Sequence, residues 1–264
     1  MLTEIAGAGE WIRIPEINPP EWANNSHLLL DRVWSNVLIT DNVFGKIRVS
    51  PYAFAARITH DVPTVSPTVV VSTRDRNILA IESEVRGAIG NGIDSFLVVI
   101  GDTVPHVDHL ADHYEIVEHL RELRTGGFGG FEVGMPTRFR RWQFRKRIDL
   151  GTDFFVCGPI LDPETVEPSF SKLGRRTEDP PVFLMVIPPF NPEWVNQMEL
   201  MGAVAATNGF KQKLAATDTQ TRREQGWYWA REIERRAIDA GCAGVILVGL
   251  KYDTVVDEAA AAWR

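Results

Sequence analysis

The chain has 264 residues, 44% hydrophobic and 24% charged, with a formal net charge of -7. These proportions exclude whole-chain disorder, and the acidic balance argues against a general nucleic-acid surface, which needs excess positive charge. No apolar run is long enough to span a bilayer, and MLTEIAGAGEWIRIPE lacks a basic segment followed by an apolar one, so a cytoplasmic protein with no membrane partner is expected. The two cysteines, Cys157 and Cys242, each lie in an apolar stretch and read as reduced thiols. They are too few for a cysteine zinc site.

Along the chain, short apolar runs alternate with amphipathic segments. The runs are 11–17 (WIRIPEI), 36–40 (NVLIT), 68–73 (TVVVST), 95–102 (SFLVVIGD), 130–136 (GFEVGMP), 153–161 (DFFVCGPIL), 181–189 (PVFLMVIPP) and 244–250 (GVILVGL). Nearly continuous apolarity marks strands buried on both faces, as in a parallel sheet covered by helices. Helical spacing appears at Asn77–Gly90, Tyr114–Arg124, Pro192–Val204 and Trp227–Ala240, the last ending before Gly241, a good C-terminal cap position. Eight such units in 264 residues match a (β/α)8 TIM barrel, which takes about 250. The competing open doubly wound sheet would carry a Gly-rich turn after its first strand, where Glu16-Ile17-Asn18-Pro19-Pro20 stands. One α/β barrel domain over 1–264 is expected.

A TIM barrel places its chemistry at the C-terminal strand ends. Those ends carry Glu16, Thr40 with Asp41, Ser72 with Thr73, Gly101 with Asp102, Pro136, Gly158 with Pro159, Phe190 with Asn191, and Lys251 with Tyr252. Glu16 and Asp102, on strands one and four, would face each other across the mouth. Glu16 sits among Ile14, Pro15 and Ile17, and apolar surroundings raise a carboxyl pKa, which suits a proton donor. The plainer alternatives are a salt-bridged strand end for Glu16 and a helix N-cap for Asp102. His106, His109 and His113, with Asp108 and Asp112, have spacing that could hold a metal but read equally as a polar loop entering a helix. The basic run 138–147 (RFRRWQFRKR) follows strand five. It suits an anionic ligand at a helix start, or else an outer helix face with Trp142 and Phe144 packed inward. The glycines of 125–130 (TGGFGG) precede a strand and so do not form a dinucleotide fingerprint.

The order of strand-end residues resembles the methylenetetrahydrofolate reductases from about Trp11 onward. The resemblance rests on Ile14-Pro15-Glu16-Ile17-Asn18-Pro19-Pro20, Val99-Ile100-Gly101-Asp102-Thr103-Val104-Pro105, Asp149-Leu150-Gly151-Thr152, Ile187-Pro188-Pro189-Phe190-Asn191 and Gly241-Cys242-Ala243-Gly244. It implies reduction of a methylene bridge on folate to a methyl group, within one-carbon metabolism. Glu16 would be the general acid and Asp102 would steady the cationic pterin intermediate. Thr40, Phe190 and Tyr252 would contact the folate. The sequence departs from that family at Thr68, Ile100, Lys251-Tyr252 and Met135–Phe139, and at Gly158, where a glutamine usually meets folate; several of these are flavin contacts in the family, and their joint loss puts FAD in doubt. The resemblance then implies hydride transfer directly from NADH or NADPH, with Gly101, Arg138, Arg140 and Arg147 at the nucleotide. An FAD-dependent reductase and a non-catalytic folate-binding barrel are the alternatives. The oligomeric state is left open.

Overall fold

The alternation Ile12-Arg13-Ile14-Pro15-Glu16-Ile17 decides which way the first strand's side chains point, because successive residues face opposite sides of a sheet. In the computed structural model Ile12 and Ile14 are buried inside the barrel and Ile17 is buried outside it, beneath the helices. Glu16 shares the inward parity of Ile12 and Ile14. The structure describes residues 1–22, 24, 27, 28, 30, 34–102, 111–219, 221–251, 254–259 and 261.

The element order is α1 (Leu2–Gly7), β1 (Ile12–Ile17), β2 (Asn36–Ile39), α2 (Pro51–Asp61), β3 (Ser66–Ser72), α3 (Ile78–Gly90), β4 (Ser95–Val99), α4 (His113–Thr125), β5 (Glu132–Thr137), α5 (Arg141–Asp149), β6 (Phe154–Ile160), α6 (Val166–Ser171), β7 (Val182–Val186), α7 (Pro192–Leu200), α8 (Asn208–Ala216), α9 (Arg222–Asp239) and β8 (Gly244–Leu247). Each strand runs parallel to the next, and β8 returns to β1 through Ile12↔Gly244 to Pro15↔Leu247, which closes an eight-stranded barrel. This is the TIM architecture that the alternation predicts. A closed sheet has no edge left to pair with another chain.

Two apolar layers follow from the strand parity. Inside lie Ile12, Ile14, Leu38, Val70, Leu97, Phe154, Val156, Phe183 and Ile246. Outside, Val37, Val69, Phe96, Val98 and Met135 pack against helix residues such as Phe54, Ile81, Leu120, Phe144 and Ile233. Each such fully buried side chain contributes roughly 1.5–3 kcal/mol. Gly134 is a packing necessity, since a Cβ there would overlap the Phe154 ring that fills the barrel centre.

The N-terminal ends of the strands form a second, polar floor. The Glu132 carboxylate, at the start of β5, accepts from Leu2 N (2.7 Å), Thr3 N (3.0 Å), Thr3 Oγ1 (2.7 Å) and Ser95 Oγ (2.8 Å). Thr68 Oγ1 donates to Ser95 Oγ at 3.0 Å and extends the chain of bonds. Helix α1 is thereby held against the barrel bottom, and its free first-turn N–H groups receive a carboxylate.

The helix boundaries follow local signals. Asn77 caps α3 by accepting from Ala80 N, and Gly241 takes a left-handed φ of 77° after α9. The segment expected to be helical to Val204 ends at Leu200, just before Gly202, whose φ of 101° no helix contains. Helix α9 begins five residues earlier than the pattern from Trp227 suggests. No helix among the described residues is long and apolar enough to cross a membrane. Cys157 and Cys242 are both free thiols.

Candidate functional site

At the C-terminal ends of the strands lies a cavity of about 490 Å³, walled by Glu16, Ile17, Asn18, Phe44, Arg48 and Trp194 together with the Gly249–Lys251 segment. Glu16 reaches it as the third inward residue of β1, after Ile12 and Ile14. The protein crowds this carboxyl closely. Burial pushes its pKa up to about 7, the N–H of Gly249 donates to it and opposes the rise, and the charge of Asp102 adds to it. A carboxyl that titrates near neutrality can both give and accept a proton at physiological pH.

Asp102 follows β4 and is half-buried. Its Oδ2 accepts from the backbone N–H of Phe44 at 2.7 Å. It is therefore not the N-cap of the fourth helix; Asp112 is, accepting from Tyr114 N at 2.8 Å. The Asp102 backbone is fixed by Arg74, whose guanidinium donates to Asp102 O (2.8 Å) and to Asn42 O (3.0 Å). Gly101 permits this approach. Its φ is 88°, and a Cβ would overlap the Ser72 hydroxyl and lie 3.2 Å from Arg74 Cβ.

The loop after β2 supplies one wall of the cavity. Asn42 and Phe44 both take left-handed backbone conformations, with φ of 45° and 55°. For a residue as bulky as Phe this is a strained state, of order 1–3 kcal/mol, held by its surroundings. Asn42 organises the loop: its Oδ1 accepts from Arg48 N (2.9 Å), its Nδ2 donates to Asp41, and its carbonyl receives Arg74. Asp41 itself is committed to an ion pair with Arg76.

The remaining expected site residues scatter. Thr40 is buried and donates to Asn18 Oδ1 at 2.8 Å, so it supports a cavity residue from behind. Phe190 stacks edge-on against Trp227 at 5.3 Å and does not line the cavity. Tyr252 lies outside the described residues. Arg138 and Arg140 are exposed near the start of α5. Arg147 is buried, bonded to the Pro136 carbonyl and 3.5 Å from His113 Nε2. Burial and the Arg147 charge hold His113 below the usual imidazole range. His106, His109 and Asp108 lie outside the described residues, and among the described residues no group of three or more His, Cys, Asp or Glu could hold a metal ion. Thr68, read as replacing a strand-three histidine of that family, belongs to the polar floor at the opposite end of the barrel.

Phe44, Arg48 and Trp194 were not anticipated. Arg48 and Phe44 sit in a loop with no periodicity. Trp194 looks like one more apolar residue of an amphipathic helix, and only the fold brings it to the cavity wall beside Gly249, where an added Cβ would lie 3.3 Å from its ring.

No protein-family model and no curated protein matches the chain. Solved structures match over nearly its whole length. One is a 2,3-dimethylmalate lyase described as a PEP mutase/isocitrate lyase superfamily member, with a TM-score of 0.57, 12% identity, and 100% of this chain and 83% of that one covered. Two are of oxaloacetate acetylhydrolase, with TM-scores of 0.56, identities of 10% and 9%, and 80% of those chains covered. At such identity the likeness establishes the fold. It also corrects the family reading, because these neighbours are a lyase and an acetylhydrolase and not methylenetetrahydrofolate reductases. These neighbours speak against folate reduction, against its FAD-dependent and folate-binding alternatives, and against a nicotinamide cofactor. Thr40, Phe190 and Tyr252 then lose their folate role, and Gly101, Arg138, Arg140 and Arg147 their nucleotide role. The misleading motifs are short strand ends rich in Gly, Pro and Asp, which any barrel needs for its turns.

Proposed function

We propose that the chain is a barrel enzyme of lyase or hydrolase type that cleaves a bond next to a carboxylate, with Glu16 as the proton-transfer group. The carrying observation is a single carboxyl at the end of β1, on the wall of a cavity of about 490 Å³, poised to titrate near pH 7 beside Asp102. The barrel likeness to a dimethylmalate lyase and an oxaloacetate acetylhydrolase supports the reaction class, since both are named for small dicarboxylic acids. When a carbon–carbon bond breaks, one carbon keeps the electron pair. The other carbon becomes a carbonyl as its hydroxyl, or a water added to it in the hydrolytic case, loses a proton to solvent; protonated Glu16 delivers its own proton to the first carbon, and the proton that later restores Glu16 from solvent balances the one released. The Gly249 N–H steadies the carboxylate form, and Asp102 favours the return of the proton. Asp41 is tied to Arg76 and Asp102 Oδ2 to the Phe44 N–H, and among the described residues no group of three His, Cys, Asp or Glu side chains comes together to fit a divalent cation. Two unpaired thiols support a reducing, cytosolic setting.

The test is a screen of 2-hydroxy and 2-oxo dicarboxylates for cleavage products, followed by Glu16→Gln on any substrate found. Turnover should fall about 10²–10⁴-fold in that variant, the usual contribution of a positioned acid–base group. A fully active Glu16→Gln protein would remove Glu16 from the chemistry, and no cleavage across the series would remove the reaction class.

A further inference from the structure

The cavity carries two cations that the proton-transfer reading leaves unused. Arg48 lines it from the strained loop and Lys251 from the segment after β8. The Arg48 side chain donates through Nη1 to the Pro19 carbonyl at 2.9 Å, and its Nε is buried with no hydrogen-bond partner. Among the described residues no carboxylate pairs with Arg48 or with Lys251. Several arginines elsewhere pair with Asp41, Glu82, Asp153, Asp179 or Glu258, and others such as Arg121 and Arg147 bond to backbone carbonyls; Arg48 differs from these in lining the cavity. The rest of the lining joins the apolar Phe44, Trp194 and Leu250 to the polar Asn18 and Asn24. Phe44 stays half exposed there, although its backbone is held in a conformation that costs energy.

We infer that Arg48, assisted by Lys251, is the anion-recognition group of this site, and that its ligand is an organic oxyanion carried on an apolar body that lies against Phe44 and Trp194. Arg48, oriented by its Nη1 bond to the Pro19 carbonyl, brings a guanidinium charge to the cavity wall, whereas Lys251 supplies a point charge at the rim. The inference rests on the proposed active site and names the chemistry of what enters it. It also assigns the strained loop a purpose: the left-handed turns at Asn42 and Phe44 carry an aromatic wall and a guanidinium to one cavity within seven residues.

Binding to the full chain by titration calorimetry at pH 8 tests this, with benzoate, phenyl phosphate, benzamide and acetate as probes. Either aromatic anion should bind at least tenfold more tightly than neutral benzamide and than acetate, and the tighter of the two identifies the anion as carboxylate or phosphate. Arg48→Gln should weaken that binding at least tenfold, Arg48→Lys less, and Lys251→Gln two- to threefold, with the melting profile confirming that each variant is folded. Equal binding of benzamide, no loss in Arg48→Gln, or no binding of either aromatic anion would overturn the inference. Binding requires no proton transfer, and Glu16→Gln removes a negative charge from the same cavity, so that variant should bind the anion at least as tightly as wild type at pH 8. A Glu16→Gln protein with full turnover beside an Arg48→Gln protein without binding would sink the catalytic reading alone, and the reverse pattern would sink this one alone.

Discussion

Two glutamates occupy opposite ends of one barrel and are treated in opposite ways. Glu132, at the bottom, receives four donors from helix α1 and Ser95, so its charge is fully hydrogen-bonded although it is buried. Glu16, at the top, is crowded by the protein, receives the Gly249 N–H, and faces a second negative charge. The same residue type, pointing inward from strands on opposite sides of the same closed sheet, is a clamp in one place and a proton reservoir in the other. The number of donors around each carboxylate makes the difference.

The largest effect expected from breaking this contrast is at the clamp. Glu132→Ala leaves the Leu2 and Thr3 amides and the Ser95 hydroxyl without their acceptor, at a cost of about 4 kcal/mol in urea unfolding. A loss below about 1 kcal/mol would show that α1 is not held by this carboxylate. Next comes the packing between the two ends. Gly134→Ala drives a methyl group into the Phe154 ring and should cost about 2–3 kcal/mol, read from the same unfolding curves. The smallest effect has the opposite sign. Glu16 is held near 7 against an ordinary 4.5, so the unfolded chain gives up this proton first as pH rises. The wild-type fold therefore loses stability between pH 4.5 and 7, with no further loss above. Glu16→Gln lacks that slope and should equal wild type near pH 4.5 and exceed it by on the order of 2 kcal/mol at pH 8. A variant less stable than wild type at pH 8 would mean that the ionised carboxylate is well satisfied after all.

The top and bottom of the barrel differ in how far they can be read from the sequence. Eight apolar runs reveal the strands because burial on both faces leaves a local mark, and the Ile12-Ile14-Glu16 alternation reveals that Glu16 points inward. The clamp at Glu132 leaves no such mark. Its partners Leu2 and Thr3 are 130 and 129 residues away, and LTEIAG is too short to announce a helix. The wall formed by Phe44 and Arg48 is equally silent, since it depends on backbone angles that a sequence of ordinary residues does not advertise. Strand-end motifs were legible but ambiguous. Gly101-Asp102 is a turn that accommodates Ser72 and Arg74 before it is anything chemical, and such turns recur wherever strands end at a barrel rim.

The hydrogen bond between the Gly249 amide and the Glu16 carboxyl joins residues contributed by the two terminal strand regions of the sheet. Its existence depends on β8 docking beside β1, the seam that completes the ring. The ionisation of a single glutamate is therefore a reporter of ring closure. A carboxyl-selective spectroscopic probe at position 16, followed during refolding, would register the moment at which the first and eighth strands meet.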